Sequence, residues 1–178
     1  MITNEYLFKI SLMGNPLKQI ITAIGQLTGN ISSDWVKNIV EGIINTTGVD
    51  VMTHRLWVDS QMVKLVLPLI HPAKSFEKLR PTYYRGAYAA IIFFDKGDRA
   101  SFEAINTWYA EFKSTITNPT IPMALVGFQS NFEDVTDKEG QMASTKLGLK
   151  YLAITSMTNE GISHICTKLV REVLAESL

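Results

Sequence analysis

The sequence predicts an α/β fold in which helices cover both faces of a mostly parallel, six-stranded sheet. Segments with strand patterning alternate with segments of helical spacing along most of the chain. Residues 87–94 are apolar throughout, which is typical of a central strand that is buried on both faces. One hairpin between about residues 51 and 70 supplies the antiparallel pair.

The first half of the chain carries the signals for one strand, two helices and the hairpin. Residues 7–13 alternate along a largely apolar strand, and residues 17–27 place apolar side chains at helical spacing. The polar residues 32–34 begin a second, short helix. The hairpin strands are expected at residues 51–58 and 62–70, joined by the two-residue turn Asp59-Ser60.

The second half of the chain alternates between strands and helices. After the central strand, the remaining elements are expected at residues 101–112 (helix), 123–126 (strand), 138–147 (helix), 151–155 (strand) and 160–174 (helix). Ligands of such sheets bind beyond the carboxyl ends of the strands. We therefore expect any site to lie near Gly14, Asp95, Gly127 and Ser156.

The composition favours a single domain without an affinity for polyanions. The chain has 178 residues, of which 46% are hydrophobic, and this length suits one domain spanning residues 1–178. Its 17 basic and 17 acidic side chains cancel, so no net field attracts nucleic acid or an anionic membrane. The single cysteine, Cys166, excludes an internal disulfide and lies in an apolar helical pattern, which indicates a core position.

Targeting signals are not recognisable in the sequence. No segment has the pattern of a signal peptide, a transmembrane helix or a prenylation motif. We therefore expect a soluble, cytoplasmic protein that has neither a lipid anchor nor a transmembrane segment.

The stretch from Tyr6 to Thr22 has the strand, turn and helix of a phosphate-binding loop. Such a loop contains Gly, four residues and Gly-Lys-Ser/Thr, because backbone N–H groups cradle the phosphate, the lysine reaches it and the hydroxyl holds Mg²⁺. Counting from Gly14, the last three places hold Gln19, Ile20 and Ile21. The frame of the loop is present, but the residues that perform its chemistry are absent.

The order of the elements and several short strings resemble a small GTPase of the Ras superfamily, in particular its Rab branch. The strings are Thr46-Thr47-Gly48-Val49-Asp50 (switch I), Tyr83-Tyr84-Arg85-Gly86-Ala87 (after switch II) and Leu125-Val126-Gly127 (start of the guanine-recognition loop). The resemblance covers essentially the whole chain, with an insertion before switch I. It implies a Ras-like fold whose hairpin forms one edge of the sheet.

Three nucleotide-binding motifs of the family are altered here. Asp-x-x-Gly-Gln of switch II is replaced by Leu69-Ile70-His71-Pro72-Ala73, Asn-Lys-x-Asp by Phe128-Gln129-Ser130-Asn131, and Ser-Ala-Lys by Ser156-Met157-Thr158. Each charge-assisted hydrogen bond contributes roughly 1.5–3 kcal/mol, so the combined losses remove on the order of 6–10 kcal/mol. Such a loss turns a roughly nanomolar site into one near the millimolar range.

Six residues remain at positions that match the nucleotide site of the family: Gly14, Lys18, Thr46, Gln129, Asn131 and Ser156. Lys18 is the one cation of the loop, and Thr46 matches the switch I threonine that contacts Mg²⁺ in the family. We expect no cofactor, no metal and no catalytic residue. GTP or GDP with Mg²⁺ is expected only if these six residues bind the nucleotide through contacts that differ from those of the family.

Four aromatic residues are candidates for binding a protein partner. Trp57 lies in the hairpin strand that forms the sheet edge of a Ras-like fold, and edge strands readily pair with other chains. Phe76, Tyr83 and Tyr84 match positions in and after switch II, on the face that partners contact in the family. Aromatic anchors concentrate in interface hot spots, so we expect at least Trp57 or Phe76 to contact a partner.

The leading interpretation is a pseudo-GTPase, a Rab-like interaction module with impaired or absent GTP binding and hydrolysis. Its apolar residues at positions 20, 21, 69 and 128 are expected to fill the nucleotide site and hold one conformation. The alternative is a divergent GTPase with rearranged phosphate and base contacts. A different α/β enzyme is a third interpretation, for which His71 is the only support.

Overall fold

The computed structural model describes residues 5–177 and contains one six-stranded sheet. The strands are β1 (Glu5–Gly14), β2 (Val49–Val58), β3 (Gln61–Ile70), β4 (Ala89–Asp95), β5 (Met123–Phe128) and β6 (Lys150–Ile154). They lie in the order β2-β3-β1-β4-β5-β6, and every neighbouring pair is parallel except β2 with β3. The predicted mostly parallel sheet with an antiparallel hairpin at one edge is confirmed.

Within residues 5–177, six helices and one 3₁₀ turn at Lys74–Phe76 lie between strands, and a seventh helix follows β6. The helices are α1 (Leu17–Thr28), α2 (Ser33–Asn45), α3 (Arg80–Tyr84), α4 (Arg99–Glu103), α5 (Ile105–Thr115), α6 (Asp137–Leu147) and α7 (Asn159–Ser177). Apolar residues of α1 and α7 pack in one buried cluster with one face of the sheet, and those of α5 pack in a second cluster with the other face. No helix within residues 5–177 combines the length and hydropathy needed to cross a bilayer.

The helix predicted at residues 101–112 is divided into two helices at Ala104, where the ψ of −10° departs from regular α-helical values. The side chain of Asp98 accepts a hydrogen bond from the N–H of Ala100 and so begins α4 two residues earlier than expected. The hydroxyl of Ser101 accepts from the N–H of Asp95 at 2.9 Å, which fastens α4 to the end of β4. Beyond Ala104, the apolar stripe of α5 faces the core.

The two-residue turn between β2 and β3 forms where it was predicted, although it contains no glycine. Asp59 and Ser60 have φ angles of +46° and +68°, the left-handed conformation that a tight hairpin of this kind requires. The guanidinium of Arg171 donates to both carboxylate oxygens of Asp59, at 2.7 and 3.0 Å. This contact from α7 stabilises the turn, in which Asp59 and Ser60 adopt a backbone conformation that residues other than glycine disfavour.

Cys166 lies in the core, as predicted. Its side chain on α7 is fully buried, and burial raises the pKa of the thiol to about 12. A thiol in this environment stays protonated and is a packing residue.

Candidate functional site

Only two residues, Asn15 and Pro16, connect β1 to α1. The helix begins at Leu17, so residues expected in a four-residue phosphate loop belong to its first turn. Pro16 has no N–H, and the N–H of Leu17 donates to the carbonyl of Asn15 at 2.8 Å. A wrapped loop of N–H donors, which a bound phosphate needs, is therefore replaced here by the start of a helix.

Gly14 has a structural role at the end of β1. Its φ is +136°, and a Cβ atom there would lie 2.2 Å from the carbonyl oxygen of Phe93 on β4. Only glycine permits both this conformation and this approach of the two strands. The packing of β1 against β4 therefore accounts for a glycine at this position, whether or not a phosphate binds there.

The two isoleucines that stand in place of the phosphate-binding lysine and the Mg²⁺-binding serine point into the core. Ile20 is 3% exposed and Ile21 is fully buried. They share one apolar cluster with Leu69 of the altered switch II and Phe128 of the altered guanine loop. The ring of Phe128 stacks on Phe93 with a centroid separation of 5.1 Å. All four altered positions are thus packed in a common core.

The polar residues of α1 have other partners or face outwards. The side-chain amide of Gln19 donates to Asp95 at the end of β4, over 2.7 Å. The second carboxylate oxygen of Asp95 accepts from the N–H of Gly97. Lys18 is exposed and borders a cavity of about 630 Å³ between α1 and α2, which Thr22, Val40 and Met157 also line.

The remaining base-site positions lie apart from Lys18. Gln129 borders a different cavity of about 360 Å³ beside β6, which His164 also lines. The backbone N–H of Gln129 donates to the carbonyl of Ile154, and its side chain is exposed, like that of Asn131. Ser156 is half-buried after β6. The structure does not gather the six predicted positions around one cavity.

The loop that carries Asn131 is fixed by a buried lysine. The carbonyl of Lys96 accepts from the N–H groups of Asp134 and Val135, at 2.8 and 2.9 Å. Its ammonium group pairs with Glu133 at 3.1 Å and with Asp137 at 2.9 Å. These contacts satisfy the charge of Lys96 inside the protein.

The segment before switch I forms α2, and Thr46 caps the C-terminal end of this helix. The Thr46 hydroxyl donates to the carbonyl of Gly42 one turn earlier in the helix, a local bond that threonine side chains commonly form. At the other end, Ser32 accepts a hydrogen bond from the N–H of Trp35 at 3.1 Å. The ring of Trp35 covers Gly25, where a Cβ atom would lie 2.9 Å from it, so α2 is anchored on α1.

The donor set at these positions does not fit a phosphate group with Mg²⁺. Buried isoleucines offer neither a cation nor a hydroxyl, and the Thr46 hydroxyl is engaged in its own helix. Within residues 5–177 no cluster of three or more His, Cys, Asp or Glu side chains is arranged to hold a metal ion.

A buried ion pair fastens the segment that follows β3. Arg80 is 5% exposed, and its guanidinium donates to both carboxylate oxygens of Glu111, at 2.7 and 2.8 Å. The same group donates to the carbonyls of Pro72 and Ala73, at 3.4 and 3.1 Å. It also lies 4.8 Å from the ring centroid of Trp108. The chain's own side chains therefore hold the altered switch II.

Two further contacts extend this ion pair to the end of β1. Trp108 Nε1 donates to the side-chain oxygen of Asn15 at 2.9 Å, and the Tyr84 hydroxyl donates to Glu111 at 2.8 Å. Burial, together with the bond to Glu111, raises the pKa of Tyr84 and keeps its phenol protonated. We call these residues the Arg80 network: Asn15, Arg80, Tyr84, Trp108 and Glu111.

The Arg80 network was not predicted from the sequence. Glu111 lies three residues after Trp108, and this spacing places its carboxylate next to an apolar residue on the same side of a helix. That spacing was the one sign in the sequence that Glu111 lies near the core. The sequence does not reveal which cation Glu111 meets, because Arg80 is 31 residues away, at the start of the short helix α3.

The four predicted partner-binding residues differ in exposure. Trp57 is 59% exposed, while Phe76 and Tyr83 are half-buried. Phe76 packs on the backbone of Gly48, where a Cβ atom would lie 2.3 Å from its ring. Tyr84 is 1% exposed and its hydroxyl belongs to the Arg80 network, so it offers a partner the least surface of the four.

His71 has the contacts of a structural residue. Its Nδ1 accepts a hydrogen bond from the N–H of Ala73 at 3.1 Å, and its ring packs against Phe76 with a centroid separation of 5.2 Å. Burial, with the nearby charge of Arg80, lowers the pKa of His71 and favours the neutral ring.

Part of the sheet carries exposed apolar side chains on the hairpin side. Strand register places Trp57 beside Met62, and Lys64 between Arg55 and Leu7. Leu7 is 58% exposed. Arg55 forms an ion pair with Glu5. We call this surface the open sheet face, defined by Leu7, Val51, Arg55, Trp57, Met62 and Lys64.

Comparison with known proteins agrees with this architecture. The family model described as Ras family matches residues 30–175. The chain is 25% identical to the GTP-binding protein ypt2 of Schizosaccharomyces pombe, over 98% of this chain and 84% of that protein. It is 28% identical to the Ras-related protein RabC of Dictyostelium discoideum, over 96% of this chain and 86% of that protein. It is 31% identical to the Ras-related protein RABF2b of Arabidopsis thaliana, over 72% of this chain and 66% of that protein.

The strand order, with its antiparallel hairpin, agrees with the sequence similarity to these relatives. The chain belongs to the Ras family and is similar to its Rab-related small GTPases.

Proposed function

We propose that this protein is a Rab-like interaction module that works without a nucleotide switch, with GTP binding and hydrolysis impaired or absent. The observation that carries this proposal is the two-residue connection from β1 to α1, followed by the buried Ile20 and Ile21. A phosphate group there would have to displace core side chains and find its cation elsewhere. Residues 1–178 form one such module in this proposal.

The Arg80 network supplies the second line of support. In a nucleotide-driven switch, contacts to the γ-phosphate and Mg²⁺ order the switch segments. Here Arg80 binds the carbonyls of Pro72 and Ala73, while its partner Glu111 is held on α5. The hydrogen bond from the N–H of His71 to the carbonyl of Gly48 joins the two former switch segments, at 2.8 Å. These contacts favour one fixed conformation of the partner-binding side.

The open sheet face is the surface that we propose for a protein partner. Trp57 is its aromatic anchor, and its exposed neighbours combine apolar and charged side chains as interface surfaces do. Phe76 and Tyr83 lie half-buried near the former switch II and extend the contact area. Trp57 is the first position at which an alanine substitution should weaken binding to a partner.

The test of this function is thermal unfolding with and without about 1 mM GTP or GDP and Mg²⁺. A ligand at roughly 100 times its dissociation constant adds about 2.7 kcal/mol, and each kcal/mol moves the midpoint by about 2–4 °C at this size. We expect no shift, and no guanine nucleotide after denaturation of the purified protein. A shift of several degrees, or nucleotide carried through purification, overturns the proposal.

A variant that restores the loop sharpens this test. Changing Ile20→Lys and Ile21→Ser is expected to lower the free energy of unfolding by at least about 3 kcal/mol, because it buries a charge without a partner. The matched control, Ile20→Val with Ile21→Val, should lose about 0.5–1.5 kcal/mol per site. If only the restored variant shows a midpoint that rises with GTP and Mg²⁺, the two isoleucines account for the loss of binding. An equal rise in the unchanged protein overturns the proposal.

A further inference from the structure

β2 is a long and regular edge strand. It forms the end of the described sheet, and its residues from Val49 to Val58 pair with β3 in an unbroken register without a bulge. Its alternate side chains Val51, Thr53, Arg55 and Trp57 are exposed. The opposite edge strand, β6, has only five residues, and Lys150 at its start is tied to Glu172. Long regular edges favour pairing with another strand.

The hydrogen bonds of the hairpin show which groups of β2 face outwards. The N–H of His71 donates to the carbonyl of Gly48, and the same register continues along the strand, so even-numbered residues of β2 face β3. The backbone groups of the odd-numbered residues therefore point away from the sheet. The first two of these residues are covered locally. The Thr47 hydroxyl donates to the carbonyl of Val49 at 3.3 Å, and the Asp50 side chain accepts from the N–H of Val51 at 2.8 Å.

We propose that β2 pairs with β2 of a second copy of this chain, antiparallel about a two-fold axis at His54. This register places the outward groups of Thr53 opposite those of Arg55 in the second copy, and such pairs exchange two hydrogen bonds. Val51 then faces Trp57 of the second copy on the open sheet face. An isologous contact of this kind closes at two copies and leaves no free β2 edge.

The other face of the paired strands is also complementary. In the same register Met52 faces Leu56 of the second copy, and both residues already pack against the core that includes α1 and α7. A register centred on Arg55 would place two guanidinium groups opposite each other, and one centred on Thr53 would place Arg55 opposite Val51. The His54-centred register avoids both mismatches and keeps the Arg55 ion pair with Glu5 intact.

This inference deepens the proposed function, because it names an occupant of the hairpin edge. It rests on that proposal only for the role of the hairpin as an interaction surface. Nucleotide binding and self-association are measured separately, so a failure of one does not mimic a failure of the other.

The first test is sedimentation velocity of the purified protein over about 1–100 µM, a range that brackets typical micromolar association. We expect the mass to rise with concentration from 19.9 kDa for one chain towards twice that value. Thr53→Pro should weaken association at least about tenfold, because it removes an N–H that would donate to the second copy. This N–H does not pair with β3, so the hairpin itself should remain intact. Thr53→Ala keeps the N–H and should associate like the unchanged protein. Circular dichroism checks that both variants fold.

Cross-linking tests the register itself. Under oxidation His54→Cys should form a disulfide-linked dimer, since directly opposed non-hydrogen-bonded residues lie within disulfide reach. Leu56→Cys, two residues further along the same face, meets Met52 of the second copy and should not cross-link. The buried Cys166 does not compete. A monomer throughout the concentration range, association that survives Thr53→Pro, or equal cross-linking of the two cysteine variants overturns the proposal.

Discussion

Replacing Arg80 with alanine should lower the free energy of unfolding by about 3–5 kcal/mol, because it leaves a buried carboxylate without its cation. The side chains of Arg80 and Glu111 are only 6% and 15% exposed. The substitution removes both charge-assisted bonds and the two bonds to the carbonyls of Pro72 and Ala73. In this variant, the Tyr84 hydroxyl would be the one member of the Arg80 network that still donates a hydrogen bond to Glu111.

Urea unfolding followed by circular dichroism measures this loss. At this chain length it corresponds to a decrease of roughly 6–20 °C in the thermal midpoint. The control is Arg85→Ala, an exposed arginine of the same segment, which should change stability by no more than about 0.5 kcal/mol. The pair Arg80→Met with Glu111→Leu removes both charges and should lose far less than Arg80→Ala alone. A loss below about 1 kcal/mol for Arg80→Ala would refute the argument that this pair fixes the former switch segment.

Two other substitutions test the backbone at Gly14 and the start of α6. Gly14→Ala should lower the free energy of unfolding by more than about 1–2 kcal/mol, the usual cost of placing alanine at a positive φ, because its Cβ also meets Phe93. The control Gly29→Ala, at φ +86° with open space around it, should lose only about 1–2 kcal/mol. Equal losses for the two variants in urea unfolding would contradict this reasoning. The bonds of Glu139 with Arg99 and then Thr136 lower its pKa from 4.5 to about 2. Because the folded pKa lies below the unfolded one, this stabilisation is complete above about pH 4.5 and is lost as the pH falls towards 2. Unfolding measured between these pH values should depend less on pH in Glu139→Gln than in the unchanged protein, and identical profiles would contradict the assignment.

The strands and most helices were predictable because apolar periodicity follows burial. Residues 89–94 are all buried, as a continuous apolar run predicts for a central strand, and the positions along α1 and α7 follow their apolar stripes. The division of α4 from α5 was not predictable in this way. It depends on the hydrogen bonds of Asp98 and Ser101 at the end of β4, which periodicity does not encode.

The candidate site was less predictable, because its contacts join distant parts of the chain. The helix begins at Leu17, where the apolar spacing of residues 17–27 predicted it, so the four-residue loop that the phosphate-binding motif requires after Gly14 does not form. The bond from Trp108 to Asn15 spans 93 residues and leaves no local signal. The burial of Tyr84 likewise follows from its Glu111 contact, whereas the sequence showed only an aromatic beside the switch segment.

The Arg80 network has a consequence for how such a protein is controlled. Under the proposed function, the former switch segment is held by Arg80 of the same chain, and no nucleotide is hydrolysed or released to change its conformation. Under the proposed function, the signal that the protein conveys is then set by how many copies a cell makes and degrades. Substitutions that change its folding stability, even far from any interface, should therefore alter its output through abundance.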